Sequence, residues 1–132
     1  MKKCLIALNR HETPGSDPHL DLFLGPDEPV DEEQRVARTW RLLIDPRDLQ
    51  ETESLEVIPL PLHRAKYLHL DGPVRPRSQA GRVTPLWKGD CTVEEPDAET
   101  LRMTIRWRDG ACGRFEIRID RMQRLATTDP DQ

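Results

Sequence analysis

The chain of 132 residues has few aromatic side chains, few cysteines and very little lysine. Aromatic residues make up 5% of it, and its three cysteines are Cys4, Cys91 and Cys112. An odd number of widely spaced cysteines does not suit a disulfide framework and favours a reducing compartment, here the cytoplasm. No apolar run approaches the ~20 residues that a membrane helix requires. The sequence therefore predicts a cytoplasmic protein without a membrane segment.

The chain also lacks the short motifs that mark several enzyme classes. It has no glycine-rich phosphate loop, no dinucleotide-binding fingerprint, no CxxC pair and no nucleophile elbow. Hydrophobic residues make up 36%, charged residues 33%, and 12 residues are proline. This length and composition predict one polar, loop-rich domain over residues 1–125, followed by a disordered tail over 126–132.

Alternation with a period of two dominates the chain. Between 101 and 107 apolar side chains alternate with arginine and threonine, Asp109-Gly110 favours a turn, and alternation resumes over 114–119. This pattern predicts an antiparallel hairpin. Further short strands are predicted at 3–9, 20–24, 39–44, 67–70, 82–87 and 91–94, with helical turns at 31–38 and 46–51. The expected fold is mostly β, a small closed or partly open antiparallel β-barrel with one or two short helical turns.

The basic residues are mostly arginine and are concentrated late in the chain. Sixteen arginines accompany four lysines, and the net charge is −4. Residues 100–124, however, include seven arginines and only three acidic residues. Arginine suits bidentate contacts to phosphate, so Arg102, Arg106 and Arg114 are candidate nucleic-acid contacts. A solvated, ion-paired sheet face is the alternative interpretation of the same pattern.

A candidate metal site comes from two histidines and an aspartate near the start of the chain. His19 and Asp21 are two apart on a predicted strand, so their side chains project from the same face. A hairpin would return His11, at the end of the preceding strand, to the side of His19. Two imidazoles and one carboxylate are transition-metal ligands that leave coordination positions open. Three polar residues around a surface loop are the alternative.

A second group of polar residues follows at 63–71. If this segment is extended, His63, Tyr67, His69 and Asp71 lie on one side. His63 could then act as a general acid or bind phosphate, and Tyr67 could donate a hydrogen bond to an anionic oxygen. An exposed edge strand with a half-buried tyrosine would show the same pattern.

The order of these motifs resembles the 3′-phosphoesterase domain of bacterial DNA ligase D and its small stand-alone relatives. That family opens on a strand ending in His, followed by His-aromatic-Asp-aromatic-Arg-Leu; here the strand ends at His11, and His-Leu-Asp-Leu-Phe-Leu occupies 19–24. Its later motifs are a Ser-Trp-Ala-Val-Pro strand, a His-x-x-x-Tyr segment, a Trp-Asp-Arg-Gly-Thr strand and a Lys-Gly-Arg-Phe strand. This chain matches them at 38–42, 63–67, 87–91 and 112–115.

The resemblance implies a small antiparallel barrel that removes a 3′-phosphate or a 3′-ribonucleotide from nucleic acid ends in DNA repair. It implies that His11, His19 and Asp21 bind Mn²⁺ (or Zn²⁺), and that His63 and Tyr67 contact the scissile phosphate. The expected partners are DNA or RNA-containing 3′ ends, with a DNA ligase or polymerase as a candidate protein partner.

One departure from the family motif affects the expected chemistry. Phe23 stands where the family has arginine, which removes a phosphate contact, and Arg75, Arg77 and Arg82 are candidates to replace that charge. Two other functions are therefore alternatives to the phosphoesterase. One is a non-catalytic nucleic-acid- or protein-binding module on the same barrel, and the other is a metal-dependent hydrolase of a small phosphoester.

Overall fold

The computed structural model describes residues 1–75 and 81–126, which form nine β-strands and two 3₁₀ turns. The strands are β1 (Lys2–Glu12), β2 (His19–Pro26), β3 (Arg35–Leu42), β4 (Ser54–Glu56), β5 (Ile58–Arg64), β6 (Arg82–Asp97), β7 (Thr100–Trp107), β8 (Cys112–Arg118) and β9 (Arg121–Arg124). The first 3₁₀ turn is Pro46–Asp48 and the second is Ala65–Leu68. No helix in these described ranges is long and apolar enough to cross a membrane.

The strands form one antiparallel sheet in the order β4-β9-β8-β7-β6-β1-β2-β3-β5. Its two edge strands, β4 and β5, are separated in the chain by a single residue, Val57. The amide of Val57 donates to the carbonyl oxygen of Asp120 at 2.8 Å, and its side chain is buried. One stretch of chain thus pairs first with β9 and then with β3, which closes the sheet into a nearly complete barrel.

The barrel interior is filled by the apolar residues of the alternating strands. Ile6 and Leu8 of β1, Leu22 and Leu24 of β2, and Ile105 of β7 belong to this interior core. The remaining members include Trp40, Leu42, Met103, Trp107, Phe115, Ile117 and Met122. Burial of this layer supplies the main driving force for folding.

The outer faces of β1, β2 and β3 are buried as well, over part of their length. Ala7, Phe23, Ala37 and Leu68 form an outer cluster against which Tyr67 packs. Leu68 comes from the second 3₁₀ turn, and a Cβ at Gly25 would collide with its side chain. The turn therefore lies directly on the sheet, and the central residues of β1 and β2 are buried on both faces.

The predicted barrel is confirmed, and so is the hairpin, in which Thr100 of β7 pairs with Arg118 of β8. The helical turn expected at 46–51 is present as the first 3₁₀ turn. The helical turn predicted at 31–38 is wrong, since β3 begins at Arg35. The strand predicted at 67–70 is also wrong, because 65–68 forms the second 3₁₀ turn and turns Leu68 onto the sheet.

Proline explains most of the remaining differences between the predicted and observed strands. The strands predicted at 82–87 and 91–94 are one strand, β6, and Pro85 lies at a bulge where Leu8 pairs with Trp87 and Asn9 with Pro85. Strand β5 was not predicted because it carries Pro59 and Pro61, which an edge strand tolerates. Strands β4 and β9 are too short to show alternation. Of the tail predicted at 126–132, only residue 126 lies within the described residues.

The three cysteines are free and occupy two environments. Cys4 and Cys91 pair across β1 and β6 and face the interior core. Burial raises the pKa of the Cys4 thiol, and burial together with the neighbouring Cys4 raises the pKa of Cys91 to about 12. Cys112 is exposed at the start of β8.

We expect one thiol to react with an aromatic disulfide reagent at pH 8 in the folded protein, and three in denaturant. At this pH only about one Cys91 molecule in ten thousand is a thiolate, and its burial blocks access. Absorbance of the released thiol measures the count, and Cys112→Ser reduces the native count to zero. Rapid reaction of all three native thiols would show that the β1–β6 pairing is not as described.

Candidate metal centre

The hairpin of β1 and β2 places three candidate metal ligands together. His11 pairs directly with His19, and Asn9 pairs directly with Asp21. Because side chains alternate along a strand, all four project to the outer face of the barrel. The sequence prediction that a hairpin returns His11 to His19 is confirmed.

The ligand atoms of His11, His19 and Asp21 all lie within 4.8 Å of one another. His19 Nε2 lies 3.6 Å and His11 Nδ1 3.9 Å from Asp21 Oδ2, and the imidazole rings meet edge to face at 4.8 Å. These separations are too long for N–H···O hydrogen bonds. They approach the ~3 to 3.5 Å between neighbouring ligands that each lie about 2.1 Å from a shared ion.

Several polar atoms of this group are buried without a hydrogen-bond partner. They are His11 Nε2, His19 Nε2 and Asp21 Oδ1. A buried polar atom left unpaired costs roughly 1–3 kcal/mol, and three at one place are uncommon in a folded protein. One cation would take His19 Nε2 and one atom each from His11 and Asp21, which would give part of this group a partner. The cluster of His11, His19 and Asp21 could therefore hold a metal ion.

The electrostatics of the cluster favour neutral His19. Burial lowers the pKa of His19, and Arg41 and His11 lower it further, while the Asp21 carboxylate acts in the opposite direction. A neutral imidazole is the form that binds a metal ion. His19 thus keeps its ligand form at pH values where an ordinary histidine, with a pKa of about 6.5, is half protonated.

Two further residues belong to this site and were not singled out from the sequence. Asn9 is 1% exposed, and its side-chain amide nitrogen donates to the carbonyl oxygen of Tyr67 at 3.1 Å, while Oδ1 has no partner. Arg41 pairs with Asp21 across β2 and β3, and its Nε lies 3.6 Å from Asp21 Oδ1. Asn9 alternates with His11, so the period-two pattern could have identified it. Arg41 becomes visible only when the β2–β3 register is known.

His63 and Tyr67 approach the same outer face, although not on an extended segment. His63 pairs with Ala37 at the end of β5, and Tyr67 lies in the second 3₁₀ turn. The ring of Phe23 contacts both, with centroid distances of 5.5 Å to His63 and 5.9 Å to Tyr67. Since Phe23 is two residues from Asp21 on β2, its side chain leaves the strand about 7 Å from that of Asp21.

The His63 ring is oriented by the backbone. Its Nδ1 lies 2.8 Å from the carbonyl oxygen of Pro61. A carbonyl oxygen only accepts hydrogen bonds, so Nδ1 carries the proton of this contact. Nε2 is then the nitrogen that a substrate could meet, either as an acceptor or, when protonated, as a donor.

The arginines predicted to contact nucleic acid lie on a different face. Arg102, Arg106 and Arg114 are on β7 and β8, where they alternate with core residues. The Nε of Arg102 donates to Glu116 at 3.0 Å, and Arg106 pairs across the sheet with Asp90. The face therefore carries compensating acidic residues, as the ion-paired alternative expects.

Neither protein-family models nor curated proteins gave a match to this chain. The resemblance to the ligase D phosphoesterase domain therefore depends on the motifs alone. The geometry of the site is independent of that resemblance.

We expect Mn²⁺ or Zn²⁺ to raise the free energy of unfolding. A ligand that binds only the folded state adds about 2.7 kcal/mol when its concentration is 100 times its Kd. Urea denaturation with and without metal measures this gain.

Asp21→Asn should lose the stabilisation, because an amide is a weaker ligand than a carboxylate. Asp90→Asn, which removes an exposed carboxylate on β6, is the matched control and should keep it. Equal gains in both variants would place metal binding outside the cluster.

Proposed function

We propose that this protein is a metal-dependent phosphoesterase that processes nucleic acid 3′ ends, removing a terminal phosphate or ribonucleotide. The observation that carries the proposal is the convergence of His11, His19 and Asp21, which have unpartnered polar atoms. His63 and Tyr67 pack on Phe23, two residues beyond Asp21 on β2. The motif order supports the nucleic acid substrate, and it also supports Mn²⁺ as the metal.

His11, His19 and Asp21 would hold the metal ion. The ion would act as a Lewis acid and stabilise negative charge on the phosphate. His63 has its Nδ1–H on a backbone carbonyl, which leaves Nε2 to exchange a proton with the phosphate or the leaving oxygen. Tyr67, stacked on Phe23, would supply a hydroxyl as a hydrogen-bond donor. Its hydrogen bond would orient the phosphate towards His63.

The proposed activity also implies a cellular compartment and partners. Three free cysteines suit a reducing compartment, the cytoplasm, where DNA repair proteins of this type would meet their substrates. DNA or RNA-containing 3′ ends are the proposed substrates, and a DNA ligase or polymerase is the proposed downstream partner.

A primer–template ending in a 3′-phosphate or a single 3′-ribonucleotide tests the proposal on a denaturing gel. We expect Mn²⁺-dependent trimming by the wild type and none by His19→Ala, which removes a ligand. His63→Ala should reduce the rate 10²- to 10⁴-fold, the usual contribution of a positioned acid–base group.

His69→Ala is the matched control, because His69 is exposed beyond the second 3₁₀ turn. Its rate should equal that of the wild type. Trimming that survives in His19→Ala would contradict the metal mechanism. Bound metal without trimming would indicate a different phosphoester substrate, such as a small molecule.

A non-catalytic binding module is the second candidate, favoured by one observation. Phe23, at the position of the family arginine, is 2% exposed and packs in the outer cluster. The module would use the exposed face of Arg102, Arg106 and Arg114 to bind phosphates.

This candidate predicts DNA binding that weakens steeply with salt, because phosphate contacts release counterions. Arg102→Gln with Arg106→Gln should weaken it and reduce the salt slope, while His19→Ala should leave it unchanged. Fluorescence anisotropy over 50 to 200 mM salt measures both effects. Binding that does not respond to salt would exclude this module.

A further inference from the structure

Arg41 differs from the other arginines that lie beside a carboxylate. Within 1–75 and 81–126, four arginines lie 3.2 Å or less from a carboxylate oxygen: Arg38 at 2.8 Å, Arg47 at 2.6 Å, Arg64 at 3.2 Å and Arg102 at 3.0 Å. The Nε of Arg41 stays 3.6 Å from Asp21 Oδ1 and is buried without a hydrogen-bond partner. Arg41 therefore lies near the Asp21 carboxylate without a hydrogen bond to it.

The position of Arg41 directs its guanidinium towards the metal-ligand cluster. It is cross-strand neighbour to Asp21, and both side chains leave the sheet on the outer face. The Arg41 side chain is 40% exposed although its Nε is buried, so part of the side chain reaches solvent. A planar fork of N–H donors therefore stands at the edge of the His11, His19 and Asp21 cluster.

Position 23 carries no charge in this chain. Phe23 is buried with Ala7, Ala37 and Leu68, and the rings of His63 and Tyr67 lie against it. The outer face consequently has no cation on β2 itself. Arg41, on the adjacent strand β3, is the arginine that the register brings nearest to Asp21 from that side.

We propose that Arg41 is the anion-binding residue of this site and holds the substrate phosphate through its terminal nitrogens. This inference rests on the proposed function, since it names the group that binds the phosphate there. An anion between Arg41 and the ligand cluster would gain two charge-assisted hydrogen bonds in a partly buried place.

Two alternatives make different predictions about Arg41. If it served only as counterion to Asp21, its removal would change metal affinity but not anion affinity. If Arg41 only packed against its neighbours, its removal would change neither the metal affinity nor the anion affinity. A phosphate-holding role requires a loss of anion affinity with metal binding kept.

The test uses calorimetry with two probes, Mn²⁺ alone and then phenylphosphonate on the Mn²⁺-saturated protein. Phenylphosphonate presents a phosphate-like dianion that a phosphoesterase does not cleave. We expect Arg41→Gln to bind Mn²⁺ at least as tightly as the wild type, since a positive charge near Asp21 is removed. Its affinity for phenylphosphonate should fall at least tenfold, as expected for loss of hydrogen bonds to a charged group.

Two further variants make the result specific. Arg41→Lys keeps the charge but not the fork, and should lose less affinity than Arg41→Gln. Arg35→Gln is the matched control, because Arg35 lies on the same strand and donates to the Leu62 carbonyl instead. It should bind both probes as the wild type does.

The outcomes separate this inference from the function on which it rests. Wild-type protein that binds no Mn²⁺ would overturn the proposed function and Arg41's role with it. Wild-type protein that binds both probes, with Arg41→Gln equal to it, would overturn only the role of Arg41. An equal loss in Arg35→Gln would also overturn it, because the effect would then be one of general charge.

Discussion

The pairing of β1 with β2 is the constraint on which the barrel and the site both depend. This register puts Ile6, Leu8, Leu22 and Leu24 into the interior core. The same alternation sends Ala7, Asn9, His11, His19, Asp21 and Phe23 to the outer face. A shift by one residue would exchange the two faces and place ionisable groups in the core. The stability of the fold therefore fixes the geometry of the candidate site.

The outer face is unusual because part of it is covered. The second 3₁₀ turn buries Phe23 and Ala7 under Leu68 and holds Asn9 through the Tyr67 carbonyl. Asp21 is left with a 9% exposed side chain among two imidazoles and a guanidinium, none within hydrogen-bonding distance. Burial of a carboxylate is costly unless it is paired. A cation at the cluster would offset this cost, so site and stability are linked.

Much of this arrangement could be predicted from alternation alone. The β7–β8 hairpin and the meeting of His11 with His19 follow from the period of two and a turn between strands. The strand predicted at 67–70 was wrong because residues 65–68 form a 3₁₀ turn from which Leu68 packs on Gly25. The pairing of Arg41 with Asp21 could not be predicted, because alternation within each strand does not set the register between β2 and β3. The structure places His63 and Tyr67 beside Phe23. Their roles in binding phosphate remain predictions.

The most direct test of the account is anomalous X-ray diffraction from crystals soaked in Mn²⁺, recorded on both sides of the manganese absorption edge. A single site is predicted, in contact with a ring nitrogen of His11, a ring nitrogen of His19 and a carboxylate oxygen of Asp21. A peak bound elsewhere, or no peak in crystals whose outer face is open to solvent, would contradict the account.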